Sequence, residues 1–421
     1  MDEEKNTQDG IFTKKEETVT LTEYKKSVAS AFVTGFLTAA LAAMLIVCGP
    51  VIYKRYVKHE IDSSIKEKAI YSLIKKYYIE DIDENEMQEG IYAGMTAIPT
   101  DQYSYYMSAE EAAEYTEKTE GNYVGIGVRI QADYNLDIVK VESVFKPSPA
   151  YDAGIKKGDI LKSVSGVDIT STNMDEAVDL VRGPENTTVD IVINRPSEDK
   201  DIELTVYRKN VDTPTVFGRM LENGIGYIQI TNFDGVTPDQ FDAELINLQA
   251  QNMQKLIIDL RGNPGGLLTS ITAVAERLIP GGNLTYTEDK YGQREYVKLD
   301  DDYLDIPLAV LVNKSSASAS ELFTGAVKDT KRGTIIGKNT YGKGVVQTPF
   351  PLKDGSIVKL TTSRYYTPAG ICIDGVGIAP DIEVNPAEDF EMPNLNDEDA
   401  VIDVEADLQL KKAVEVLQNE N

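Results

Sequence analysis

The sequence predicts a multidomain α+β protein: a membrane-spanning N-terminal helix, a helical N-terminal region, a small β-barrel domain and an α/β layered domain. Three observations carry this reading. Residues 27–53 hold no charged side chain. Short β-rich runs such as "YVGIGVRI", "LDIVKVESVF", "TVDIVINR" and "DIELTVYR" follow from residue 123, bounded by turn residues as strands are. From residue 209 to 385 apolar strand patterns alternate with helical ones, the order expected of a mostly parallel sheet covered by helices.

Composition narrows the function. The 421 residues carry 69 Asp+Glu against 42 Lys+Arg, a formal charge of −27. Binding to nucleic acid rests on neutralising phosphates with basic side chains, so that class is excluded. Cys48 lies in the apolar segment and Cys372 has no plausible partner, so no intrachain disulfide is expected. The only histidine, His59, closely follows the apolar segment. The globular part therefore has neither a Ser-His-Asp triad nor a His-rich metal site, and no metal or organic cofactor is implied.

Each element follows from its pattern. Residues 1–26 are a short, mostly polar tail. The segment 27–53, with "AFVTGFLTAALAAMLIVCGPVIY", is long enough to cross a hydrocarbon core of about 30 Å at about 1.5 Å per residue. It reads as a single signal anchor. A cleaved leader is the alternative, disfavoured because a long polar stretch precedes it and "LIVC" lacks the small residues of a cleavage site. Lys25 and Lys26 on one side face Lys54, Arg55 and Lys58 on the other, so loop charge does not set the orientation. The short tail is more easily left in the cytoplasm, which puts the remaining domains outside.

In residues 54–116, Ile61, Ile65, Ala69, Leu73 and Tyr77 recur at helical spacing, and Met87, Ile91 and Met95 continue in a second helix. This region offers packing or self-association, and with it a homo-oligomer, but no chemistry. Residues 117–208 add helix signals at "SPAYDAG" and "STNMDEAVDLVRG" between the strands. Thr172 or Asn173 caps the second, and Met174, Ala177, Val178 and Val181 line one face. That outline is of a peptide-binding PDZ domain. In residues 209–386 the strands "GIGYIQI", "KLIIDLRG", "PLAVLVN" and "GTIIG" alternate with helices near 238–252, 267–279 and 319–329, before a strand pair across 345–363. Residues 387–421 are an acidic tail ending in an amphipathic helix.

Three stretches bear on chemistry. "GKNTYGKGVVQ" places Gly342 and Lys343 after Gly337, most of a phosphate-binding loop. Such a loop needs Ser or Thr after the lysine and a helix beyond it. Here Gly344 follows and residues 345–350 read as a strand, so Lys343 belongs to a tight turn between strands. "VLVNKSSASASELFTGAVKD" runs from a buried strand into a helix. Ser318 and Glu321 have the form of a capping box, yet Ser318 also stands at the carboxyl edge of the sheet, where α/β folds bind ligands. In "IIDLRGNPGGLL", Gly265 and Gly266 form either a plain Pro-Gly corner or a turn that brings amides to a substrate carbonyl.

With no histidine available, a serine nucleophile needs a neutral lysine. From an ordinary pKa of about 10.4, deprotonation at pH 7 costs roughly 4.6 kcal/mol, which burial must mostly supply. Lys343, between Gly342 and Gly344 and ahead of an apolar strand, is suited to burial. Gln347 would share its face on a regular strand and could hold the amine.

Together these stretches resemble the carboxyl-terminal processing peptidases, or tail-specific proteases, which are PDZ-containing serine proteases with a Ser/Lys dyad. The likeness covers roughly residues 60 to 385 through "IPTDQYSYYMSAEEAAEY", "YVGIGV", "SPAYDAGIKKGDILKSVSG", "LIIDLRGNPGGLL", "NKSSASASE", "TYGKGVVQ" and "GVGIAPDIEV", in that order. It implies Ser318 as nucleophile, Lys343 as general base and Gln347 as the residue orienting it. It also implies the Ala319 amide with that of Gly265 or Gly266 as oxyanion donors. In the PDZ-like part, Gly125, Ile126 and Gly127 would receive the terminal carboxylate of a protein or peptide substrate, with Met174, Val178 and Val181 near its side chain. The anchor departs from family members exported by cleaved leaders. The alternative from another class is a PDZ adaptor whose α/β domain is only a scaffold, against which Ser318, Lys343 and Gln347 count.

Overall fold

The computed structural model describes residues 21–52, 58–98, 101–397 and 400–419. The chain falls into two units, residues 1–87 and 88–421. In the first, a helix spans Leu21–Ile52 and another Lys58–Tyr77. Within the first helix the hydroxyls of Thr34 and Thr38 donate back to the carbonyls of Ser30 and Thr34. Among the described residues one helix, over Lys25–Gly49, is long and apolar enough to cross a membrane.

The second unit is built on three sheets and a short strand pair. Strands Val128–Asp133, Ile138–Val144, Ile160–Val164, Thr188–Arg195 and Lys200–Tyr207 form an antiparallel sheet in that order, with Val167–Asp168 against the third. Alternate residues such as Val139, Val141, Ile191 and Ile193 point to one core. Ala177 of helix Met174–Val181 is buried against it. Asn173 precedes that helix, but its side chain accepts from the Thr170 amide instead of capping a helical one. Strand Asn122–Gly125 pairs with Lys209–Asp212 and carries the chain into and out of this domain.

The central sheet runs Val216–Met220, Ile225–Ile230, Lys255–Asp259, Leu308–Val312, Thr334–Gly337 and Ile382–Glu383, parallel after the first antiparallel pair. Its strands are apolar on both faces, as a sheet covered on two sides demands. Leu256, Ile258, Leu308 and Val310 face helices Thr237–Ala250, Leu268–Glu276 and Ala319–Asp329. Ile257, Ala309 and Leu311 face the opposite way, onto Leu410, Ala413 and Leu417 of the C-terminal helix Leu408–Asn419. The tail is thus a layer of the core. A third, antiparallel sheet joins Tyr105–Met107, Ile357–Tyr366, Gly282–Asp289 and Arg294–Leu299, and Val345–Pro351 pairs with its long strand. This last strand leads directly out of the Lys343 turn.

Candidate active site

Two loops leave the carboxyl ends of adjacent parallel strands and are sewn together. The first, residues 260–267, follows Lys255–Asp259, and the second, residues 313–318, follows Leu308–Val312. Buried Asn263 holds Ile230 O through its amide nitrogen and accepts from Gly265 N through its oxygen, while Ala317 N donates to the Asn263 carbonyl. Ser316 of the second loop and Ser320 of the helix that follows it reach back to the carbonyls of Leu260 and Asn263. Gly265, at φ 104°, passes so close that a Cβ would lie 2.8 Å from Ser318 Cβ and 2.9 Å from Ala319 N. Only glycine fits that approach.

Ser318 sits at φ 52° and ψ −115°, a conformation L residues adopt rarely and at a cost of order 1–3 kcal/mol. It precedes helix Ala319–Asp329. The capping box is half made: Ser318 N donates to the Glu321 carboxylate at 2.9 Å, but the Glu321 amide bonds the Ser318 carbonyl at 2.8 Å, and the hydroxyl takes no cap bond. The serine side chain is left half-exposed, beside the Ala319 amide at the positive end of the helix. Ala319 N and Gly266 N make no hydrogen bond among the described residues, whereas Gly265 N is taken by Asn263.

Glu321, spotted in the sequence only as a cap, has a larger task. It is fully buried, and its Oε2 accepts from both Ser318 N at 2.9 Å and Lys343 N at 2.8 Å. Its Oε1 accepts from Gly342 N and Thr340 Oγ1, both at 2.6 Å. One carboxylate therefore fixes the backbone of the serine and of the lysine turn. Glu321→Gln puts an NH₂ group among four donors. Each lost charge-assisted bond is worth about 1.5–3 kcal/mol, and misplacement by an ångström costs about 100-fold in rate. Peptide hydrolysis is expected to fall by at least that factor while circular dichroism still reports a folded chain.

The Lys343 side chain is half-buried, and burial holds its ammonium below the usual range, helped by Lys359 and opposed by Asp101 and Glu321. Its Nζ lies 4.6 Å from the centre of the Tyr103 ring. Among the described residues no hydrogen bond joins Lys343 Nζ to Ser318 Oγ or to Gln347. The register of strand Val345–Pro351 with Ile357–Tyr366 shifts between Val346 and Gln347, where the partner strand carries one extra residue, Thr362. The Gln347 amide donates to Thr361 Oγ1 at 3.2 Å and Val345 O at 3.3 Å.

The sequence also missed Arg261. Its guanidinium is buried between Asp259 and Asp407, with bonds of 2.6 and 2.7 Å from one nitrogen. Burial alone would lower its pKa, but the two carboxylates hold it well above the usual range. Tyr227 also donates to Asp259. The network props up the glycine loop from the C-terminal helix side, and its partner, Asp407, lies too far along the chain to be paired by spacing.

In the domain of residues 122–212, Ile126, Val128, Val178 and Val181 line an apolar cavity of about 90 Å³, with Tyr123 and Arg182 at its edge. Met174 packs on the domain core and does not line it. Gly127 takes φ 83°, and a Cβ there would lie 2.4 Å from that of Ser148, so the turn of Gly125, Ile126 and Gly127 needs its second glycine.

Comparison with known proteins agrees with this architecture. The model of peptidase family S41 matches residues 224–384, that of a PDZ domain residues 140–195, and that of the activating protease CtpB N-terminal domain residues 52–111. A carboxy-terminal-processing protease of Bartonella bacilliformis is 34% identical over 75% of this chain and 73% of its own. A probable CtpA-like serine protease of Staphylococcus aureus is also 34% identical, over 76% of this chain and 64% of its own length. A solved putative S41 protease from Bacteroides fragilis shares the fold over 83% of this chain and 97% of its own, with a TM-score of 0.51 at 16% identity. The chain belongs to the PDZ-containing carboxy-terminal-processing serine proteases of peptidase family S41.

Proposed function

We propose that this protease is a membrane-anchored endopeptidase that cleaves proteins or peptides near their C-termini through a Ser318/Lys343 dyad. The observation that carries the reading is the single Glu321 oxygen that holds the amides of both residues. Neutral Lys343 takes the Ser318 hydroxyl proton as Oγ attacks the scissile carbonyl, and returns it to the leaving amine. Water then releases the acyl group by the same route. The amides of Ala319 and Gly266, left without partners among the described residues, supply the oxyanion hole, with Gly265 as the close-packed neighbour that shapes it. A hydrogen bond between Lys343 Nζ and Ser318 Oγ, not made among the described residues, has to form for this to occur. The Gln347 carbonyl oxygen, which accepts no hydrogen bond among the described residues, is the acceptor that would steady it.

In the PDZ domain, strand Val128–Asp133 ends its sheet, with no strand paired to its outer edge among the described residues. A substrate tail would add there as a further strand, its carboxylate at Gly125, Ile126 and Gly127 and its last side chain against Val178 and Val181, with Met174 behind them. The helix within residues 27–53 anchors the chain, with the PDZ and protease domains on the extracytoplasmic side. Self-association through residues 54–116 fits this reading.

Tail recognition is tested with one peptide made as free acid and as amide, bound to the Ser318→Ala chain and cleaved by the native one. Each charge-assisted bond to the carboxylate is worth about 1.5–3 kcal/mol, so the amide should bind roughly tenfold or more weakly. Apolar last residues should be preferred to acidic ones. Equal binding of acid and amide removes tail recognition from the mechanism.

A further inference from the structure

Strand Tyr105–Met107 pairs with residues 357–359 of the long strand beside the Lys343 turn. Just ahead of it, the Asp101 carboxylate accepts from Tyr103 N at 2.9 Å, and the buried Ser104 hydroxyl accepts from Thr361 N at 2.8 Å. The first bond shapes the turn that holds Tyr103, and the second ties its following residue to the strand beside the lysine turn. The Tyr103 ring then lies over Lys343 Nζ, 4.6 Å from centroid to nitrogen.

We propose that Tyr103 is a positioning residue of the Ser/Lys site, whose ring covers the Lys343 amine and excludes water from it. The inference rests on Lys343 being the base. An aromatic face stabilises an ammonium by about 0.5–2 kcal/mol, and against this stands the hydration the ammonium loses on burial. Burial is the largest influence on Lys343 and disfavours its charge, and the ring, as part of that burial, works towards the neutral amine. The other groups facing Lys343 are Lys359 on the neighbouring strand, which opposes its charge, and Asp101 and Glu321, which favour it. Tyr341, in the lysine turn, and Asp374 lie beside the Tyr103 hydroxyl. Lys359 is held in turn over the rings of Tyr105 and Tyr115, so the segment that delivers Tyr103 also steadies the repelling charge.

The test is the pH dependence of kcat/KM, which reports the free enzyme's base, for the full chain and its Tyr103→Phe, Tyr103→Leu and Tyr103→Met variants. A quenched peptide with an apolar free C-terminus serves as substrate. Tyr103→Phe keeps the ring and should keep the native rising limb. The Leu and Met variants admit water, so the limb should move up by about one pH unit, giving roughly tenfold lower kcat/KM at pH 7 that is recovered at higher pH. A loss equal at every pH, or a limb that stays in place in whichever of the two folds, overturns the proposal. Activity in Lys343→Arg would instead overturn the Ser/Lys reading beneath it, so the two failures are distinct.

Discussion

Ser318→Ala should abolish peptide cleavage, lowering kcat by about 10⁴-fold or more, the scale on which nucleophile removal acts in serine proteases. Stability should hardly change, because the hydroxyl makes no cap bond and the Glu321 contacts are to backbone amides. Alanine also inherits the φ of 52°, so the strain of that turn remains. Ser318→Gly would relieve it by about 1 kcal/mol while being equally inactive. Thermal unfolding of the two variants beside their turnover separates these effects. A Ser318→Ala chain that cleaves at the native rate contradicts the assignment.

Lys343→Arg should lose about 10²–10⁴-fold in kcat, the usual worth of a general base. Arginine keeps the charge but does not give up its proton in proteins. The native enzyme should show the matching pH dependence. Burial disfavours the ammonium and lowers its pKa from 10.5, and in the proposed mechanism the active form is the neutral amine. The rate should therefore rise with pH through a midpoint below 10.5, with the protonated enzyme inactive on the acid side. A rise centred at an ordinary histidine value of about 6.5, or an active arginine variant, counts against Lys343.

Much of the fold was legible because burial leaves a period in the sequence. The unbroken apolar runs around Ile257 and Val310 mark strands covered on both faces, and the alternation at Val139 and Val141 marks a sheet with one buried face. The turns themselves were legible, Ser318 through the passage from an apolar strand to a helix and Gly265 and Gly266 through the Pro-Gly corner. What was hidden is mostly contact through backbone atoms. The bonds from the Gly342 and Lys343 amides to Glu321 span 21 and 22 residues, and an amide carries no sequence signature. Asp407 is 146 residues from Arg261, so only the folded tail pairs them. The extra residue opposite Gln347, Thr362, lies in the neighbouring strand, which the pattern of Gln347's own strand does not encode.

The central claim, an acyl-enzyme on Ser318 formed with the help of Lys343, is tested most directly by acid-quenched intact mass spectrometry. The full chain is mixed with a peptidyl p-nitrophenyl ester, whose acylation outruns deacylation, and the adduct is mapped by digestion. The account predicts a burst of nitrophenol and one acyl increment on the peptide bearing Ser318, absent in Ser318→Ala and slowed in Lys343→Arg. Steady turnover with no burst and no increment, or an increment carried by another residue, would contradict it.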